Sequence, residues 1–106
     1  MNMAWIFLVT AGLLEVGWAL GLKASAGFTR PLPSILTLLA MAASFYLLAQ
    51  AMKVLPVGTA YAIWVGIGAI GTVVLGILIY GDSANPLRLA SLLLVLAGLV
   101  GLKFAG

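Results

Sequence analysis

The sequence predicts an all-α integral membrane protein: four transmembrane helices with short loops, working as an antiparallel (inverted) homodimer. Three observations point there. Of the 106 residues, 65% are hydrophobic and 7% charged, with a mean hydropathy of +1.31. A soluble domain carries about 25% charged residues, so this chain has too little polar surface to face water. The apolar residues fall into four uncharged or nearly uncharged stretches, each bounded by turn residues or bases and each near bilayer length. Finally, the five bases are spread almost evenly over the two faces that four such helices define.

The first span covers about residues 4–22 and stops at Lys23, with Ser25 and Gly27 following. It lacks a basic n-region and a carboxylate interrupts it, so it reads as a helix and not as a cleaved signal. The polar stretch 23–31 holds Lys23 and Arg30. The second span, about 33–52, opens at Pro33, a good first-turn residue, and ends before Lys53. Pro56 breaks the helix, and the third span runs about 57–80. The run Gly81-Asp-Ser-Ala-Asn-Pro86 is a turn, with Asp82 expected to cap the fourth helix and Asn85 and Pro86 suited to cap and begin it. That helix, about 86–104, has only 14 uncharged residues between Arg88 and Lys103. It reaches bilayer thickness if both bases snorkel outward. Residues 1–106 thus read as a single transmembrane domain, with all function in the membrane.

Composition also excludes. No cysteine or histidine is present, and the carboxylates number two, so no metal site and no cofactor is expected. Five scattered bases make no nucleic-acid surface. Lys53 and Lys103 fall on one membrane face and Lys23, Arg30 and Arg88 on the other. Two against three is almost no bias for the positive-inside rule. A fixed orientation set by weak signals is one reading; insertion both ways, followed by antiparallel pairing, is the one favoured here.

The residue that demands explanation is Glu15. At ~1.5 Å per residue it lies about 4 Å from the middle of the apolar stretch 3–22, where a carboxylate costs a few kcal/mol. Such a group faces a protein interior or a wet cavity, and there it exchanges a proton or pairs with a cation. The bland alternative is a carboxyl that glues helices by hydrogen bonding. Helical spacing lines up Gly12, Glu15 and Trp18 on one stripe. In the third span Tyr61 and Trp64 share a face, and an aromatic ring beside a carboxylate makes a cation site. An interfacial belt is the alternative for Tyr61. Gly66 and Gly68 permit a bend or a close helix contact. Ser44, at mid-depth in the second span, can donate to a carboxylate or back to its own helix. Ala97, Gly98 and Gly101 give the fourth span a small-residue face for a dimer contact.

One acid and four short helices enclose a solute poorly. Alternating access commonly uses two related halves around a mid-membrane site, and here the halves are two copies of one chain. Two Glu15 carboxyls would then titrate as a coupled pair.

These residues resemble the small multidrug resistance family. The stretches that carry the likeness are Leu14-Glu-Val-Gly-Trp-Ala19, Leu22-Lys23, Gly27-Phe-Thr-Arg30, Leu55-Pro-Val-Gly-Thr-Ala-Tyr-Ala-Ile-Trp64 with Gly66-Ile-Gly68, and Gly101-Leu-Lys103. Trp18 aligns the chain with the guanidinium exporter subtype. The resemblance implies a proton-coupled antiporter, not an enzyme, in a bacterial inner membrane. It implies that Glu15 binds protons and a small cation in alternation, and that Trp18 and Ser44 orient its carboxylate by hydrogen bonds. Tyr61 is implied to act at the site and in gating, Trp64 to line the cavity with Gly12 giving room, and the fourth span to join the dimer. Gly17, where the family has a bulkier aliphatic residue, and the turn Gly81-Asp82-Ser83 depart from the pattern. Export of hydrophobic quaternary ammonium drugs is the alternative within the class. A structural or channel-forming protein with Glu15 as glue is the alternative outside it.

Overall fold

A computed structural model describes residues 3–105, and they form four helices: α1 (Met3–Ala24), α2 (Pro31–Ala51), α3 (Val57–Tyr80) and α4 (Pro86–Ala105). Each is at least 20 residues long, about 30 Å at ~1.5 Å per residue, which matches the hydrocarbon thickness. In lipid every backbone N–H and C=O has to be satisfied within the segment, so uncharged runs of this length become helices. The chain is a multi-pass membrane protein.

Two boundaries differ from the sequence reading by two residues, the others by one at most. Helix α1 runs two residues further than expected, and α2 starts at Pro31 instead of Pro33. Both prolines fit in the first turn because N–H groups there have no intrahelical acceptor. The connection between them is a tight left-handed turn, with positive φ at Ala26, Gly27 and Phe28. Buried Ser25 organises it: its hydroxyl donates to the Leu22 carbonyl (2.8 Å) and accepts from Phe28 N–H (3.1 Å). A third correction concerns Asp82. The side chain that caps α4 is Asn85, whose Oδ1 accepts from Arg88 N–H at 2.8 Å. Asp82 instead closes the end of α3, donating its N–H to the Gly76 carbonyl beside Gly81, which sits at φ 69°. Its carboxylate lies 3.9 Å from Arg88, an exposed pair worth little.

Helix α1 is the centre of the bundle, packed on both α2 and α3, while the α4 backbone approaches α3 alone. The buried core is Leu8 and Ala11 of α1, Leu48 and Ala51 of α2, and Ala60, Ile63 and Trp64 of α3. Small residues recur in it because helices in lipid associate by close approach and not by hiding apolar surface from water. No residue of α4 is buried. At one membrane face Lys103 lies over the Trp5 ring (5.5 Å), and at the other Lys23 lies over Tyr80 (4.3 Å).

Candidate functional site

The site forms where α1, α2 and α3 meet. Glu15 projects from α1 toward α3, and its carboxyl occupies the space left by the missing side chain of Gly68: a Cβ built at Gly68 would overlap Oε1 and Cδ. Oε1 is buried and accepts no hydrogen bond from the described residues. One turn on, the Trp18 indole N–H is likewise buried and unpartnered. Two polar groups on one helix face are thus held away from water without a protein partner, a costly arrangement that calls for an explanation.

Rings pack around Trp18, one turn from Glu15. Trp18 lies edge-on to Phe45 (centroids 6.1 Å) and tilted against Trp64 (6.5 Å). Phe45 meets Trp64 edge-on at 5.7 Å, and Tyr61 completes the row at 5.7 Å from Trp64. Trp64 is 7% exposed and Tyr61 54%, so the row runs from the bundle interior to its outer surface. Such ring faces attract cations, the more so away from water.

Ser44 is elsewhere engaged. Fully buried, it donates to the Ala11 carbonyl at 2.7 Å and accepts from the Trp64 indole N–H at 3.0 Å. It therefore bonds neither Glu15 nor its own helix; it ties α2 to α1 and α3. The hydrogen bonds from Trp18 and Ser44 to Glu15 that the resemblance implied are absent from this conformation.

Each glycine singled out in the sequence has a neighbour that explains it, or none. The space over Gly12 is filled by Ile67 and that over Gly66 by Leu99 of α4. Both are close helix contacts, and the nearest neighbour for which Gly12 makes room is Ile67 of α3. Gly98 and Gly101 face open space, where an added Cβ would meet nothing within 4 Å. With Ala97 they form a small-residue stripe on an unburied helix.

Sequence reasoning passed over Phe45, which touches both tryptophans. The available signal was its place beside the mid-span Ser44, but an aromatic among apolar residues in a membrane helix carries no mark of the side it faces.

The comparison with known proteins decides the family. The family described as Small Multidrug Resistance protein matches residues 3–95. This chain belongs to the small multidrug resistance family. Within it, the chain is 66% identical over 103 residues to a protein of Yersinia pestis named guanidinium exporter, covering 97% of this chain and 99% of that one. It is 60% identical over 103 residues to the guanidinium exporters of Escherichia coli K12 and Salmonella typhimurium, at 97% and 98% coverage. The subtype suggested by Trp18 and the stretches around it is that of these relatives.

Proposed function

We propose that the protein is a proton-coupled antiporter exporting guanidinium or small substituted guanidinium cations, with protons and substrate competing for a pair of Glu15 carboxyls at the interface of an inverted homodimer. One observation carries the reading: a mid-membrane carboxyl with a buried, unpartnered oxygen, beside an unpartnered indole N–H and a row of aromatic rings. Glue between helices requires a partner, and Oε1 has none. A planar cation bearing N–H donors suits a carboxylate because it pairs with both oxygens, while its faces lie against aromatic rings. The names of the relatives, each an exporter of guanidinium, support the substrate class.

Coupling follows from competition. If a carboxyl holds either a proton or the cation, and the protein changes sides with either bound, the proton gradient drives the cation outward. The second copy is supported by the unburied face of α4, by the open stripe Ala97, Gly98 and Gly101, and by the near-equal division of bases between faces. The bacterial inner membrane is the setting that fits such an exporter.

The test is to record currents from proteoliposomes on addition of guanidinium, with tetrapropylammonium and the Glu15→Gln variant alongside. A guanidinium current abolished by the variant, with little response to tetrapropylammonium, is the expected result. Equal responses to both cations would move the assignment to a broader drug exporter. Silence to both, with the variant folded, would leave Glu15 structural.

A further inference from the structure

Away from the Glu15 site, a groove of about 350 Å³ runs between α1, α3 and α4. Its walls are apolar, with Val9, Ile67, Leu96 and Val100 prominent, and Trp5 and Lys103 stand at one end. Trp5 is the third described residue of α1 and Lys103 the third from the end of α4, so that end lies at a membrane face. Ile67 is ten residues into α3 from the same face, about 15 Å deep at ~1.5 Å per residue. That depth is one leaflet of a hydrocarbon core about 30 Å thick. The groove has the length of an acyl chain and opens to the bilayer side.

Charge selects the headgroup. Lys103 is the one charged side chain among the groove residues, and its ammonium is held over the Trp5 ring at 5.5 Å. Among the described residues no carboxylate side chain lies there. Asp82 lies at the opposite face beside Arg88, and Glu15 is seated against Gly68. We propose that this groove binds one anionic glycerophospholipid, the phosphate on Lys103 and an acyl chain along Val9, Ile67, Leu96 and Val100. A second copy of the chain is the other candidate occupant, but the small-residue stripe suited to helix pairing lies elsewhere on α4. At 100° per residue, Ala97, Gly98 and Gly101 centre well over 90° from the face of Leu96, Leu99 and Lys103. Pairing along the stripe leaves the groove to lipid. A seated acyl chain also abuts Leu99, the side chain that docks α4 over Gly66.

Brominated lipids test this, because bromine quenches a tryptophan it touches. The full-length protein is reconstituted in phosphatidylcholine with rising fractions of brominated phosphatidylglycerol or brominated phosphatidylcholine. The Trp5 signal is isolated by subtracting a Trp5→Phe background. Half-maximal quenching by phosphatidylglycerol is expected at a roughly fivefold lower fraction than by phosphatidylcholine. Lys103→Gln removes that preference, Lys103→Arg retains it, and Lys53→Gln, which deletes the other base on the same face, leaves it intact. Equal quenching by the two lipids in the parent overturns the proposal, as does an unchanged preference in Lys103→Gln or an equal loss in Lys53→Gln. Trp5 emission untouched by either lipid would show a second copy covering the groove, and would also overturn it.

Discussion

Two pairs of polar groups lie within the same bundle and meet opposite fates. Ser44 accepts from the Trp64 indole and donates to the Ala11 carbonyl, so all three helices of the body are tied at one buried point. One carboxyl oxygen of Glu15 and the Trp18 indole N–H, one and two turns further along the same face of α1, are buried and find no hydrogen-bond partner among the described residues. The satisfied pair acts as structure. In low dielectric an unpaired polar atom costs far more than a paired one gains, so the unsatisfied pair persists only where something else completes it. The contrast separates what holds the bundle together from what the bundle holds ready.

The comparison can be broken most severely at Glu15. Glu15→Gln keeps the shape and removes the exchangeable charge; guanidinium currents are expected to fall to background while the protein elutes and reconstitutes as the parent does. Loss of folding instead would place Glu15 with the structural pair. Next in size is Gly68→Ala. The added methyl takes the space of the carboxyl, so transport should fall roughly tenfold, equivalent to ~1.4 kcal/mol, with helix content by circular dichroism unchanged. Parental transport in this variant would mean that the seat over Gly68 has no part in function.

External pH gives the third effect. If protons and guanidinium compete for the same carboxyls, the apparent KM for guanidinium rises as pH falls, approaching about tenfold per pH unit once the carboxyl is mostly protonated. Initial rates measured across a pH series on liposomes without a gradient check it, and a KM independent of pH contradicts competition. The smaller effects compare the two indoles. Trp64→Phe should lower resistance to unfolding in a sodium dodecyl sulfate titration by about 1 kcal/mol, in the range between a typical interhelical hydrogen bond in lipid and an unsatisfied buried group. Trp18→Phe, which deletes an N–H that bonds nothing, should leave that stability unchanged or slightly higher while weakening guanidinium binding severalfold. Equal destabilisation by the two substitutions would erase the distinction between the pairs.

Much of this molecule was legible before its structure. The four spans followed from uncharged runs and the Pro, Gly and Lys residues between them, since in lipid an apolar run of that length has one way to satisfy its backbone. Glu15 stood out for its cost. The misplacements were local: α2 starting at Pro31, and a capping role for Asp82 on α4, where of the two candidates the sequence offered Asn85 is the cap. Both turn on which of several suitable residues near a helix end takes the terminal geometry, a choice of about one turn that propensity does not resolve.

What the sequence by itself determined is therefore the class of protein, its spans and the one mid-membrane carboxyl on which the proposed function rests, because each depends on transfer from water to lipid. What only the tertiary structure decided is which side chains meet: Ser44 with Ala11 and Trp64, Glu15 with Gly68, Phe45 with two tryptophans, Lys103 with Trp5. The reason is physical. In a soluble helix the apolar stripe marks the buried face, but in a bilayer both faces are apolar and the periodicity is silent. The rotation of each helix is then set by how side chains such as Ile67, Leu99 and the Glu15 carboxyl fit over Gly12, Gly66 and Gly68, and that fit exists only once the helices are side by side.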